Sequence, residues 1–136
     1  MEKGDQLSPV QRTIRELKNR GQICGIVERF ISFAGSHGIR KDLFGFIDVI
    51  SLSPRHIIAI QCCGSDFAAH YRKITEECGD LPIEWLNSGG KIELWGWRLT
   101  KYKRGSKAVR WRPRIREISY DDFTQKYEAE KEIETA

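Results

Sequence analysis

The first periodic segment of the chain is 9–20, "PVQRTIRELKNR", where Val10, Ile14 and Leu17 recur at i, i+4 and i+7. This spacing places the three side chains on one face of a helix. Ser8 is suited to cap the start of that helix, and Gly21 is suited to end it. The pattern therefore predicts an amphipathic first helix.

Three β-strands are predicted next, over 23–33, 45–52 and 56–63. The segment between the first two, "AGSHGIRKD", consists mostly of turn-forming residues and predicts a loop. One interpretation of its end, "RKD", is a charged turn in which Asp42 pairs locally with Lys41 or Arg40. The third strand, "HIIAIQCC", is almost continuously apolar, which is typical of a strand covered on both faces.

The second half of the chain changes again from a helical to an extended pattern. A helix is predicted over 65–78, a short helical turn over 81–90, and strands over 91–99 and 108–118. Ser119 is suited to cap a terminal helix. The resulting order, α-β-β-β-α-β-β-α, predicts an α/β fold with a mixed β-sheet flanked by helices.

The composition is that of a globular domain, with 40% hydrophobic and 31% charged residues. The length of 136 residues suits one domain over 1–136, in which we expect residues 1–8 and 131–136 to be flexible. The chain contains no run of about 18 apolar residues, so no membrane-spanning helix is predicted. The first residues, "MEKGDQLSPVQRT", lack the apolar core of a signal peptide, so we expect a cytoplasmic protein.

In that compartment we expect the four cysteines, Cys24, Cys62, Cys63 and Cys78, to be reduced thiols. Cys62 and Cys63 are adjacent, so on a strand they point to opposite faces, whereas zinc usually takes a close pair such as CxxC. The histidines show no pairing at metal spacing. Buried thiols are therefore the favoured interpretation, ahead of a zinc site.

Positive charge is concentrated in one part of a chain whose net charge is +4. No acidic residue occurs between Arg98 and Arg116, and the chain from Glu117 onward is mainly acidic. Four arginines at period two would share one face of the strand over 108–118, where they repel one another unless anions bind. Pairing with the acidic end of the chain, or protection of an edge strand against aggregation, would also explain them. A third interpretation is that this strand and the loop before it bind a nucleic-acid backbone. The residues of that site would be Lys101, Lys103, Arg104, Lys107, Arg110, Arg112, Arg114 and Arg116.

One carboxylate interrupts an apolar run. Asp48 lies within "FGFIDVI", where an ionised side chain would lose its hydration. Gln61 on the next strand could lie beside it; Glu28 is a third candidate, and Glu16 or Gln11 on the first helix is a fourth. Bound Mg²⁺, which takes carboxylate and carbonyl oxygens, would supply the counter-charge. Alternatively, Asp48 is structural and pairs with an arginine or with backbone amides.

The order of elements and several short motifs resemble the PD-(D/E)XK nuclease superfamily, which includes restriction enzymes and Holliday-junction resolvases. The similarity lies in "VERF", "RKDLFGFIDVIS", "HIIAIQCCG", "YRKI" and "WLNSGGKIELWGW", and it covers roughly residues 9–117. Within the superfamily, these motifs are similar to those of small resolvase-like proteins of phages and bacteria. The resemblance implies a restriction-endonuclease-like fold, a Mg²⁺ or Mn²⁺ cofactor, DNA (branched DNA included) as partner, and a homodimer.

Carried over position by position, the resemblance assigns metal binding to Asp48 and Gln61. Gln61 stands where the superfamily has an acidic residue, so it offers only a neutral carbonyl oxygen. Cys63 stands where the superfamily has a lysine, so it cannot supply the cation that orients water and offsets phosphate charge. These departures favour, as the alternative, a nucleic-acid-binding protein that keeps the fold without catalysis.

The remaining roles fall on residues outside those two positions. Glu28, or else Glu16, would be the upstream acidic residue, and Lys73 is preferred to Lys41 as the substitute cation. The resemblance thus implies a metal-dependent DNA endonuclease that hydrolyses phosphodiester bonds. A third possibility is an adaptor whose basic strand docks an acidic protein. The implied catalytic set is Glu28, Asp48, Gln61 and Lys73.

Overall fold

The structure, a computed structural model, describes residues 6–32, 35 and 37–123. Most of the expected terminal helix, together with the segment 131–136, lies outside the described residues. In chain order the elements are α1 (Pro9–Asn19), β1 (Ile23–Ile26), β2 (Arg29–Ile31), β3 (Ile39–Lys41), β4 (Val49–Ser53), β5 (His56–Cys63), α2 (Phe67–Arg72) with a π-helical turn (Lys73–Glu77), α3 (Leu81–Asn87), β6 (Lys91–Lys101), β7 (Val109–Ile118) and a 3₁₀ turn (Tyr120–Phe123).

The predicted α/β class, a mixed sheet flanked by helices, is confirmed. Five strands form one sheet in the order β1-β4-β5-β6-β7, in which β5 and β6 run parallel and the other neighbours run antiparallel. The parallel pair follows from the crossover through α2 and α3, because a parallel connection needs a long segment that passes over the sheet. A separate two-stranded ribbon pairs β2 with β3.

Helix α1 covers one face of the sheet. Its first turn is closed by a capping box, in which the Gln11 amide N–H donates to Ser8 Oγ and the Ser8 amide N–H donates to Gln11 Oε1. Leu17 belongs to a core with Val49, Ile60 and other apolar residues of β4, β5 and β6. Gln11, one of the metal-ligand candidates, therefore serves as a helix cap.

The opposite face of the sheet is covered by α2, its π-helical turn and α3. The core on this side includes Ile47, Ala59, Ile74, Ile83 and Leu94. Alternate residues of β5 and β6 point to each face, as the apolar patterns of those strands predict. The sheet is thus buried on both sides, and a polar residue that faces inward on β5 needs a partner there.

The predicted strand over 23–33 is wrong in its extent. Strand β1 ends at Ile26, because the next two amides, of Val27 and Glu28, both donate to the carbonyl of Asp48, at 2.9 and 3.3 Å. The chain then leaves the sheet to form β2. The predicted loop beyond residue 33 contains β3, which pairs with β2 and places Arg29 opposite Lys41.

The predicted strand over 45–52 begins too early. Phe44 and Gly45 have φ of +56° and +85°, values that a strand cannot continue through. They belong to a tight turn in which the Ile47 amide donates to the Leu43 carbonyl at 3.0 Å. Asp48 therefore stands just ahead of β4, where the turn joins the sheet.

Two helix predictions also need correction. The helix predicted over 65–78 is α2 continued by the π-helical turn, and Asp66, rather than Ser65, holds the capping position without a side-chain cap bond. Gly79, with φ of +59°, ends the segment as expected. Ser119 does not act as a side-chain cap in the described part of the chain; its amide donates to Asp122 Oδ2 at 2.8 Å and opens a single 3₁₀ turn. In the part of the chain that the structure describes, no helix has the length and apolar character required to cross a bilayer.

The contact between α2 and the sheet can be tested at Gly96. A Cβ added there would lie 2.5 Å from Cδ2 of Phe67, the residue through which α2 packs against β6. We expect Gly96→Ala to lower the free energy of unfolding by about 1–3 kcal/mol, because the ring must shift. Gly25→Ala on the edge strand β1 meets no heavy atom within 4 Å, and we expect less than about 0.5 kcal/mol. Urea denaturation measures both, and equal effects would contradict the packing described.

Candidate functional site

Asp48 is held from β5, the strand beside it. It is buried, with 4% of its surface exposed. Its Oδ2 accepts a hydrogen bond from the Cys62 amide at 2.8 Å and another from Nε2 of Gln61. The carboxylate is thereby fixed in position, as expected for a buried acid that must find hydrogen-bond donors.

Gln61 links two carboxylates. Its side chain is buried on the face of the sheet that α2 covers. Its Nε2 donates to Asp48 and also to Oδ2 of Asp42, at 3.2 Å. Its Oε1 is buried and has no hydrogen-bond partner among the described residues. A half-turn of the amide would exchange the two atoms and turn this oxygen towards the carboxylates. A cation among the carboxylates would favour that orientation, because a carbonyl oxygen is a Mg²⁺ ligand and an amide nitrogen is not.

Three carboxylates from distant positions meet at this point. Oxygens of Glu28, Asp42 and Asp48 all lie within 4.8 Å of one another. Asp42 was absent from the residues that the sequence selected as ligands. The signal that could have found it is the tight turn over 43–47, which folds the chain back so that Asp42 and Asp48 become neighbours.

The substitute cation predicted from the sequence is also at this place. Nζ of Lys73 lies 2.8 Å from Oδ2 of Asp42, so Asp42 pairs with the π-helical turn and not with Lys41 or Arg40. Arg40 instead lies 3.8 Å from Glu28. Lys41, the second choice as cation, is exposed on β3 and forms no ion pair within the described residues.

The alternative upstream acid, Glu16, is engaged elsewhere. It pairs with Arg20 on the surface of α1 at 3.0 Å, and it is not part of the carboxylate group. All four residues of the implied catalytic set, by contrast, lie at or directly beside the group: Glu28, Asp48, Gln61 and Lys73.

Burial and proximity separate the two aspartates in charge. Burial raises the pKa of Asp48 from its ordinary value of 3.8 to about 8, and the neighbouring Asp42 adds to the rise. Burial opposes ionisation of Asp42 as well, but its hydrogen bonds with Asp48 and Lys73 outweigh burial and lower its pKa. The hydrogen bond and charge of Asp42 in turn raise the pKa of Lys73 against the effect of burial. Near pH 7 the pair therefore holds one proton, on Asp48, beside an ionised Asp42.

Cys63 contributes no charge to this arrangement. It is the last residue of β5, it is 3% exposed, and its pKa is raised to about 12, mostly by burial and further by the nearby Asp66. Burial raises the pKa of Cys62 as well. All four cysteines are free thiols.

The group of carboxylates fits a divalent metal on three counts. Its ligands are hard oxygens, as Mg²⁺ and Mn²⁺ require. Burial raises the pKa of Asp48, and a cation would supply the counter-charge that lets this carboxylate ionise. The buried Oε1 of Gln61 lacks a partner among the described residues, and after rotation of the amide a cation would supply one.

The predicted row of arginines lies on the α2 face of the sheet. In the pairing of β6 with β7, Arg112 is directly opposite Arg98, and Arg114 is opposite Gly96. Like charges directly opposite each other destabilise an antiparallel pair. Within the described residues, no carboxylate comes within 4.0 Å of Arg98, Arg110, Arg112 or Arg114. Among the residues that the structure describes, these cations therefore have no anionic partner that would offset their repulsion.

Aromatic side chains hold several of these arginines in place. The guanidinium carbon of Arg114 lies 4.1 Å from the ring centre of Phe67, and that of Arg110 lies 4.9 Å from Tyr102. Arg116 stacks on Tyr71. Its charge, in addition, is offset by an ion pair with Asp122 at 2.8 Å. Pairing with the acidic end thus accounts for Arg116 alone among the four arginines of β7, within the described chain.

Helix α2 separates the arginine row from the carboxylates. Phe67 and Tyr71 contact the arginines on one flank, whereas Lys73 contacts Asp42 on the other. In the sheet beneath, Gln61, Leu94 and Arg116 are successive neighbours across three strands, about 10 Å from first to last. The remaining predicted cations are exposed at the end of β6 and in the loop that follows it: Lys101, Lys103, Arg104 and Lys107.

Three tryptophans of β6 and β7, Trp95, Trp97 and Trp111, lie on the opposite face, under α1. Trp95 and Trp97 are buried, and Nε1 of Trp97 donates to Thr13 Oγ1 at 2.9 Å. Trp111 lies beneath the guanidinium of Arg12, 3.9 Å away. They form part of the core rather than a surface for stacking on bases.

Comparisons with known proteins return no match: no protein-family model, no curated protein and no solved structure is similar to the chain at a significant level. The function is therefore inferred from the geometry and chemistry of the site.

The shared proton predicts a pH-dependent stability. The folded protein keeps the Asp48 proton up to about pH 8, whereas the unfolded chain releases it near 3.8. Between these values the folded state binds more protons, so stability falls as pH rises from about 4 to about 8. Without divalent metal, we expect the Tm of the wild type to fall by roughly 5 °C or more over this window, relative to Asp48→Asn.

Thermal unfolding in EDTA across that pH range measures the difference between the two proteins. Asn cannot ionise, but it keeps a donor for Asp42 and nearly the same volume, so it isolates the titration of Asp48. Parallel pH profiles for the two proteins would show that Asp48 is ionised in the folded state at neutral pH and would contradict the charge assignment.

Proposed function

We propose that this protein is a metal-dependent DNA endonuclease that hydrolyses phosphodiester bonds, with a restriction-endonuclease-like topology. The observation that carries the proposal is the convergence of Glu28, Asp42 and Asp48 within 4.8 Å, beside Gln61 and the ammonium group of Lys73. Carboxylates clustered with a lysine fit a reaction that needs a divalent cation and a positive charge near phosphate.

Mg²⁺ or Mn²⁺ would be held by the oxygens of Glu28, Asp42 and Asp48, with the Gln61 carbonyl available after rotation of its amide. When bound, such an ion activates water and stabilises the charge that develops on phosphate. Asp48 gives up its proton when the cation takes its place. Lys73, which is one-third exposed, holds a positive charge at the rim of the group, where a phosphate oxygen can approach.

The arginine row supplies affinity for the nucleic-acid backbone. Arg98 and Arg112 repel each other in the free protein, and a phosphate between them would relieve that repulsion. The β2–β3 ribbon adds exposed Arg29, Arg40 and Lys41 on the side of the carboxylates. We propose that DNA, branched DNA included, contacts both sides of α2. A homodimer would provide the two sites that paired nicks in a junction require.

A second candidate is a nucleic-acid-binding protein of the same fold without catalysis. It is favoured by Gln61, whose amide nitrogen faces the carboxylates. The uncharged Cys63 also favours it. Cleavage distinguishes the two candidates, since both bind DNA.

The catalytic proposal is tested by cleavage of labelled branched, single-stranded and duplex DNA with Mg²⁺, with Mn²⁺ and with EDTA. We expect metal-dependent cutting that falls at least about a hundredfold in Asp48→Ala and in Lys73→Met, because these changes remove a ligand and a charge. Glu84→Gln, which alters an exposed carboxylate on α3, serves as the control and should cut normally. An absence of cutting on every substrate, with DNA binding intact, would reject the nuclease and support the binding protein.

The DNA-binding surface is tested separately at Arg112. We expect Arg112→Ala to weaken DNA binding and to reduce the slope of log K against log salt by about one, because one phosphate contact is lost. The same change should leave stability unchanged or slightly raised at low salt, since it removes the repulsion with Arg98. Arg15→Ala, an exposed arginine on α1 across the sheet, is the matched control. Equal salt slopes for all three proteins would place the DNA elsewhere.

A further inference from the structure

A second group of metal-ligating side chains lies at the junction between β5 and α2. Cys63 is the last residue of β5, Asp66 directly precedes α2, and His70 follows one helical turn later. One ligand atom from each residue lies within 4.8 Å of the other two. Nε2 of His70 is already 2.9 Å from Oδ2 of Asp66.

This ligand set differs in kind from the carboxylate group. A thiol sulfur, an imidazole nitrogen and one carboxylate oxygen suit zinc, whereas Mg²⁺ takes oxygen ligands. Zinc sites with three protein ligands commonly leave the fourth position to water.

The contact between His70 and Asp66 also suits a shared metal ion. Nε2 of His70 and Oδ2 of Asp66 face each other at 2.9 Å, near enough for both atoms to bind one zinc ion at about 2 Å. A neutral imidazole that keeps its proton on Nδ1 offers the lone pair of Nε2 to such an ion. The Cys63 thiol would give up its proton on binding the metal.

A metal ion at this position would have a structural role. Helix α2 has only six residues and lacks a side-chain cap bond at Asp66. We infer that Cys63, Asp66 and His70 bind a zinc ion that fastens the start of α2 to the end of β5. This inference does not depend on the nuclease proposal, because it concerns different residues and a different metal.

The test is cobalt substitution in the full-length, reduced and metal-free protein. Co²⁺ bound to a thiolate gives a sulfur-to-metal charge-transfer absorption that oxygen ligands do not give. We expect this band to grow to one Co²⁺ per chain, to disappear when Zn²⁺ is added, and to be absent from Cys63→Ser. In His70→Gln the binding should weaken about tenfold or more.

Two variants serve as controls that should keep the band. Cys62→Ser removes the adjacent buried thiol, which points to the other face of the sheet. Asp48→Asn alters the carboxylate group and leaves the three zinc ligands in place. If Cys63→Ser fails to fold, His70→Gln decides, because this side chain is 24% exposed and its loss is easier to tolerate.

Zn²⁺ should also raise the Tm of the wild type and of Cys62→Ser, but much less that of His70→Gln. The inference is overturned if the wild type gives no charge-transfer band. It is also overturned if the band survives in folded Cys63→Ser, or if His70→Gln binds Co²⁺ as tightly as the wild type.

Discussion

The burial of one carboxylate organises much of this protein. Asp48 stands where a tight turn meets the central sheet, and its backbone and side chain bind two separate segments. Its carbonyl ends β1 by accepting the amides of Val27 and Glu28. Its amide and carboxylate join it to β5 through Ile60, Gln61 and Cys62. A buried acid would cost stability without such partners, so the turn, the departure of β1 from the sheet and the position of Gln61 depend on one another.

The same burial produces the chemistry proposed for the site. Two aspartates brought together in a poorly solvated place cannot both ionise readily, and the proton remains on the one without a lysine. The free protein is in this way stabilised by a proton at a position that suits a divalent cation. The arginine row is the complementary case, because Arg98 and Arg112 face each other and no described carboxylate lies within 4.0 Å of either. The carboxylate oxygens on one flank of α2 suit the proposed metal ion, and the positive charge of the described arginines on the other flank suits the proposed phosphate backbone.

The periodic parts of the fold could be predicted from the sequence, and the irregular parts could not. The apolar stripe of α1, the buried run of β5 and the alternation of β6 and β7 each have a period that identifies the element. The ends of β1 and β4 are set instead by hydrogen bonds to Asp48 and by the positive φ of Phe44 and Gly45, which no period reveals. Asp42 was missed for the same reason, since only the turn after it makes it a neighbour of Asp48. The group around Cys63 is likewise invisible to a search for CxxC, because its third ligand is an aspartate at the start of a helix.

We propose that a divalent cation replaces the proton on Asp48. Calorimetric titration with Mn²⁺ at pH 7, repeated in buffers of different ionisation enthalpy, measures binding and proton release together. We expect the wild type to release about one proton per Mn²⁺ bound. We expect Asp48→Asn to bind Mn²⁺ more weakly and to release almost no protons. No Mn²⁺ binding to the wild type, or the same affinity and proton release in both proteins, would contradict it.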